Sequence, residues 1–317
     1  MYYLGIDLGG TNIAVGVIDE NNHIVATAKR KTRVPCAPDD MCEQLATTAF
    51  EALDNAKLTI DDVPWVGIGT PGTVNRGNGV VEFANNLHFS NFELKKLLEA
   101  RMNKTVIVEN DANAAAYGEY QAGALKGAKN AVAITLGTGV GSGIIIDGKI
   151  YAGTNYAAGE MGHTVIVYNG RHCTCGRDGC WEAYASATGL IKTTKEAMLK
   201  SDDHLSPIWE IVHGDINNVD GRTAFDAMRA GDPVGQAVVD EYISYLGCGL
   251  ANCINIFQPD ILCIGGGICN EGETLMKPLR EYLAHQVYTV NTKKQTKLCI
   301  AELGNNAGII GAALLGK

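Results

Sequence analysis

Two segments of the chain carry the same alternation of apolar and polar positions. Tyr3–Asp19, "YLGIDLGGTNIAVGVID", and Ala133–Gly148, "AITLGTGVGSGIIIDG", share a layout: apolar run, polar residue, Leu-Gly, a glycine and threonine turn, a second apolar run, then Asp. Asp7 falls opposite Thr135, Gly9 opposite Gly137 and Asp19 opposite Asp147. Each segment predicts a strand, a turn and a returning strand. The second closes on Asp147-Gly148, a two-residue hairpin pair, and leads into Lys149–Ala152. Strands and helices alternate around these hairpins. Asp39–Lys57 has a capped helical pattern, "VPWVGIGTPG" is a buried strand ending in a turn, and "TVIVEND" is a strand feeding the Ala-rich helix Ala112–Ala122. Further on come a helix over Pro233–Phe257, the strand "DILCIGGG", a helix over Glu273–Gln286, the strand "KLCIAEL" and a last helix, Asn306–Leu315. The stretch Ser201–Val219 has only a weak pattern. Such alternation predicts an α/β protein with two sheets, and the repeat predicts two similar halves with a ligand cleft between them. The division is expected near Glu119–Lys129. It leaves 1–118, joined by the C-terminal helix 306–317, as a smaller α/β domain and 119–305 as a larger one.

Composition adds constraints rather than structure. The 317 residues can bury a large core, and 46% hydrophobic with 19% charged content suits a globular enzyme. A net charge of −9 argues against a nucleic-acid duplex or an anionic membrane as partner, so any phosphate has to be held by backbone N–H groups or a metal ion. The opening "MYYLGIDLGG" has neither a basic nor an apolar leader region, and no run approaches the length of a membrane span. Ten cysteines in such a chain predict reduced thiols and a cytoplasmic protein. The cysteines outside Cys173, Cys175 and Cys180 lie in largely apolar surroundings and read as small buried hydrophobes.

Three strands end in glycine turns, and these are the candidate nucleotide contacts. Gly9 and Gly10 in "DLGGTN" permit close backbone approach, Thr11 adds a hydroxyl and Asn12 closes the motif. Gly137, Thr138 and Gly139 provide a second turn, and Gly265, Gly266 and Gly267 a third. Asp7, at a strand end, suits a contact to phosphate-bound Mg²⁺. Neither a Walker A sequence nor the spaced Rossmann glycine pattern is present.

The motifs "DLGGTN", "GTPGTV", "ANNLHF", "VENDANAAAYGE", "LGTGVGSG", "AGEMGH", "CTCGRDGCWE" and "IGGGI" resemble, in order, those of the ROK family (repressors, open reading frames, kinases) within the actin-like sugar kinase and hexokinase superfamily. They extend from residue 5 to about 268, nearly the whole chain. The resemblance implies a two-domain actin-like ATPase (ribonuclease H-like) fold, ATP with Mg²⁺ as phosphoryl donor, a hexose as acceptor and a homodimer.

Asp111 follows a strand directly and stands at a helix start, where a carboxylate either caps the helix or accepts a proton from an alcohol. The resemblance implies that it is the catalytic base, with Asn110 beside it contacting the sugar. Gly72 in "GTPG" offers a backbone contact, and Asn86 is favoured over Asn85 because the family's asparagine precedes a leucine.

His163, Cys173, Cys175 and Cys180 supply three thiolates and an imidazole, the donor set of a closed, structural zinc site. An odd cysteine count disfavours a disulfide, and no C-x-x-C is present for redox chemistry. His172 is the rival fourth ligand, but it adjoins Cys173, and the family pattern points to His163. Glu160 and Glu182 flank this stretch, and the resemblance implies that both, with the second nitrogen of His163, hydrogen-bond sugar hydroxyls. Sugar-sensing ROK repressors carry an N-terminal helix-turn-helix, for which a first strand beginning at residue 2 leaves no room. The expectation is an ATP-dependent hexose kinase acting on a primary hydroxyl. The zinc stretch looks most like the family's glucokinase branch. Allose, mannose, N-acetylmannosamine or fructose kinases, or an inactive sugar-binding protein, are the alternatives. Trp181 and Phe89 depart mildly from the family pattern and are expected at the pocket wall.

Overall fold

The computed structural model describes residues 1–317. The chain begins with the strands β1 (Tyr3–Leu8), β2 (Asn12–Ile18) and β3 (Ile24–Lys31), followed by helix α1 (Pro38–Asn55) and strand β4 (Val66–Thr70). Three short strands come next, β5 (Thr73–Asn75), β6 (Val80–Ala84) and β7 (Phe89–Phe92), then α2 (Leu94–Met102), β8 (Val106–Asn110) and α3 (Asp111–Ala122). The first sheet runs β3-β2-β1-β4-β8. Its hairpins are antiparallel and its β1–β4 and β4–β8 pairs parallel. β1 and β4 are buried almost throughout because helices cover both faces, hence their near-continuous apolar runs.

The remaining elements are β9 (Ala131–Leu136), β10 (Val140–Ile146), β11 (Lys149–Ile150), α4 (Glu182–Ala185), α5 (Ala187–Lys200), α6 (Pro207–Ile211), α7 (Thr223–Arg229) and α8 (Pro233–Phe257). They continue with β12 (Ile261–Gly265), α9 (Glu273–Gln286), β13 (Lys297–Ile300) and α10 (Ala307–Leu314). The second sheet runs β11-β10-β9-β12-β13. Numbered within its own sheet, each has the order third, second, first, fourth, fifth, so the sequence repeat corresponds to a repeated topology. The expected hairpin at Asp147-Gly148 is present. Both residues take positive φ (50° and 78°), and Ile146 pairs with Lys149.

By contact density the chain divides into two compact units, Met1–Ala133 with Gly143–Gly159 and Ala301–Lys317, and Ile134–Ser142 with Glu160–Ile300. The first unit thus continues past the expected division between 118 and 119. Buried Glu119 is one reason: its carboxylate accepts the N–H groups of Ala124 (2.9 Å), Glu302 (3.1 Å) and Leu303 (2.8 Å).

In the first unit α1 and α2 cover one face of the sheet, with Met41, Leu45, Leu94 and Leu98 buried against Leu4, Ile6 and Ile68. The other face receives α10, whose Ile309, Ile310 and Leu314 pack with Tyr3 and Ile18. Helix α10 lies so close that no side chain fits beneath it. A Cβ on Gly67 would run into the Ala312 carbonyl, and one on Gly311 into the Ala114 carbonyl of α3. Gly311→Val is therefore expected to cost about 2–3 kcal/mol by overpacking, read from denaturant unfolding. An unchanged midpoint would refute this tight seam.

Candidate functional site

In the first unit the candidate residues gather at the carboxyl ends of adjacent strands. Parallel register sets Asp7 of β1 beside Gly69 of β4, Gly69 beside Glu109 of β8, and Thr70 beside Asn110. A Cβ on Gly69 would sit 3.5 Å from the Asp111 Cα, so the strand between the two aspartates has no side chain there to separate them. Asp7 is pushed up to about 6, first by burial and then by the negative charge of Asp111. Burial likewise raises Asp111, against the Ala112 N–H, which bonds its Oδ1 at 2.8 Å.

Asn110, rather than Asp111, caps α3. Its Oδ1 accepts from the N–H groups of Ala112 (2.9 Å) and Asn113 (3.2 Å), and its Nδ2 donates to the Gly72 carbonyl at 3.1 Å. With the cap supplied next door, Asp111 at the first helical position is not needed as one. Gly72 has φ +97°, and a Cβ there would collide with Phe83 and Ala84 of β6. Asn86 is exposed on a short 3₁₀ turn, with its Cβ 3.5 Å from the Cβ that Gly10 would carry, so "DLGGTN" and "ANNLHF" adjoin.

The glycine turns close alike. Gly9 N–H donates to the Asn12 carbonyl (2.9 Å) and Gly137 N–H to the Gly139 carbonyl (3.0 Å). These two N–H groups are therefore bonded inside their own turns. Thr11 is exposed and Gly10 half-buried. Gly266 (φ +109°) sits against the Leu136 carbonyl, bringing the third glycine turn beside the second.

In the second unit His163, Cys173, Cys175 and Cys180 converge, their ligand atoms all within 4.8 Å of one another. His163 lies on a 3₁₀ turn whose flanking residue is Glu160, and a bridge between Val165 and Cys180 brings the two ends of the stretch together. Cys173 Sγ is 3.7 Å from His163 Nδ1, and Cys175 Sγ is 3.6 Å from Cys180 Sγ. A tetrahedral ion with bonds of about 2.0–2.3 Å needs edges of roughly 3.5–3.8 Å, so the donor set and these two edges fit, and the widest spacing, within 4.8 Å, would close a little around an ion. Burial, then the sulfurs of Cys175 and Cys173, push Cys180 up to about 12, so this thiol ionises near neutral pH only with a cation beside it. His172 is elsewhere engaged, its Nδ1 2.9 Å from Asp178 Oδ1.

Glu182, at the start of α4, joins this cluster to the second glycine turn. Its Oε2 accepts the Val140 N–H (2.9 Å) and its Oε1 lies 3.8 Å from Cys173 Sγ. Trp181 is not a pocket wall. It is fully buried, donates to the Tyr245 carbonyl at 3.0 Å and lies flat on Gly249 of α8. Phe89 is also a core residue, 4.5 Å from Phe92 between ring centres.

Glu109 and Arg76 escaped the sequence reading. Glu109 is 2% exposed in a strand otherwise apolar up to Asn110, and Arg76 Nε lies 2.8 Å from its Oε2. The charge inside "VIVEN" was the available signal.

A protein-family model described as the ROK family matches residues 3–317. The chain is 38% identical over 314 residues to a glucokinase of Streptomyces coelicolor, covering 99% of this chain and 97% of that one. It is also 38% identical over 312 residues to a glucokinase of Thermotoga maritima, covering 98% and 95%. A solved ROK family glucokinase from Streptomyces griseus, in complex with glucose and AMPPNP, superposes with a TM-score of 0.81 at 36% identity, covering 99% and 98%. The fold is the two-domain actin-like fold of these enzymes. With a family match over 3–317 and relatives aligned end to end, the chain belongs to the ROK family.

Proposed function

We propose that this protein transfers the γ-phosphoryl group of ATP to the primary 6-hydroxyl of a hexose, glucose before others. The observation that carries the reading is the carboxylate pair Asp7 and Asp111 at the ends of the first sheet, in a chain whose near relatives are glucokinases. Asp111 Oδ1 is held by the Ala112 N–H, which leaves Oδ2 to receive the proton. As the hydroxyl oxygen forms its bond to the γ-phosphorus, the proton passes to Asp111 and the bond to the ADP oxygen breaks. Asp7 would hold Mg²⁺ with the nucleotide, and that ion, when bound, neutralises phosphate charge. The glycine turns at 9–12, 137–139 and 265–267 are assigned to ATP. The sugar is assigned to Gly72, Asn86, Asn110, Glu160, His163 and Glu182.

The His163, Cys173, Cys175 and Cys180 set is assigned to structural zinc, which three thiolates and an imidazole favour over harder ions. With Nδ1 turned to the sulfurs, His163 keeps Nε2 for a sugar hydroxyl. A homodimer is expected from the family and is checked by sedimentation. No helix is long and apolar enough to cross a membrane.

The test is ADP release across a panel of hexoses and N-acetylhexosamines. Turnover with glucose above the others supports the reading, and no turnover with any sugar refutes it. In divalent-free buffer Asp7 gives a second check. A carboxyl whose folded pKa is raised destabilises the fold above that pKa, and the penalty vanishes as pH falls through about 6 toward the unfolded value. Asp7→Asn should therefore stabilise the protein by about 1–2 kcal/mol at pH 8, after allowance for partial exposure, and do nothing at pH 4. Equal melting shifts at both pH values would refute the coupling.

A further inference from the structure

We infer that Glu109 and Arg76 act together as positioning residues for the base, an inference that rests on the reading of Asp111 above. Glu109 immediately precedes the Asn110-Asp111 pair and is buried at the edge of the first sheet. Its Oε1 accepts the Asn110 N–H at 2.9 Å and the Asn113 Nδ2 at 3.1 Å. One oxygen thus ties the backbone just before Asp111 to the first turn of α3, and Asn110 ties the same turn to the Gly72 carbonyl. The other oxygen, Oε2, lies 2.8 Å from Arg76 Nε, on the turn between β5 and β6. Arg76 also donates to the Ile150 carbonyl at 3.3 Å. Burial pushes the Glu109 carboxyl up, and the Arg76 guanidinium, on a side chain that is 39% exposed, pulls it back as an ion pair without a formed hydrogen bond to Oε2. Two elements, the β5–β6 turn and α3, therefore converge on one buried carboxylate.

Arg76 also lines a cavity of about 690 Å³ with Tyr151, Thr154 and Tyr156, so truncating it leaves room that small cations can reach. A glutamine at 109 can keep the Asn110 and Asn113 donors on its amide oxygen, but it then turns a neutral NH2 toward Arg76 and loses the ion pair.

The experiment compares Glu109→Gln, Arg76→Ala and Asp111→Asn for sugar turnover, KM for ATP and melting temperature. Expected are losses of about 10- to 100-fold in turnover for the first two, the scale of a misplaced reacting group, with KM for ATP within about twofold. Low-millimolar guanidinium should restore part of the Arg76→Ala turnover and none of the Glu109→Gln turnover. Wild-type turnover in both variants beside an inactive Asp111→Asn overturns the positioning role and leaves the base intact. A folded Arg76→Ala enzyme that guanidinium cannot restore overturns it too. An active Asp111→Asn removes the base itself, and the positioning role with it.

Discussion

Asp111→Asn is expected to lower turnover by about 10²- to 10⁴-fold without lowering the melting temperature. The size follows from what phosphoryl transfer asks of a protein. Charge neutralisation and alignment stay intact, and only the acceptor for the hydroxyl proton is lost. Stability should hold because Asn110, not Asp111, caps α3, and an asparagine at 111 still accepts the Ala112 N–H through its amide oxygen. Burial raises the Asp111 carboxyl, so kcat/KM in the wild type should fall on the acid side at a pH above the ordinary carboxylate range. A pH profile flat down to pH 4, or a mutant with full turnover, would remove Asp111 from the chemistry.

Wild-type protein is expected to carry about one zinc per chain by elemental analysis, and Cys175→Ala is expected to lose it and to raise the KM for sugar at least tenfold. Structural zinc in small sites contributes roughly 10–16 kcal/mol of folding free energy, so losing one of four ligands unties the stretch rather than loosening it. The consequence for sugar follows from position. Glu160 flanks the 3₁₀ turn that carries His163, and Glu182 lies 3.8 Å from Cys173 Sγ, so both carboxylates are anchored by the same cluster. Cys175 suits the test because it is exposed, so alanine there opens no cavity in a core. Full metal content in the variant would sink the ligand set, and an unchanged sugar KM in the metal-free protein would separate the metal from the sugar site.

What could be read in the sequence was what local chemistry dictates. Helices α8 and α9 match their expected limits because Asp232-Pro233 and Gly272-Glu273 mark their starts. The paired hairpins were legible as a repeat, since the same apolar alternation and the same turn chemistry recur 128 residues apart. The β5–β6–β7 sheet was not, because strands of three to five residues with exposed Glu82, Phe83 and Asn91 carry no clean alternation. The cysteine cluster was legible because its members lie close in sequence. The tie from Arg76 to Glu109 was not, because it depends on a turn and a strand that only tertiary packing brings together.

Helix α10 also bears on the order in which the molecule is made. It completes the first unit's core from the far end of the chain, lying over Gly5 and Gly67 and against α3. During synthesis the first sheet therefore waits, with Tyr3 and Ile18 uncovered, until residues 307–314 exist, whereas every residue of the second unit has been made by Ile300. The unit that starts first is the one that finishes last, and its half-covered sheet is the surface a chaperone would find on the nascent chain.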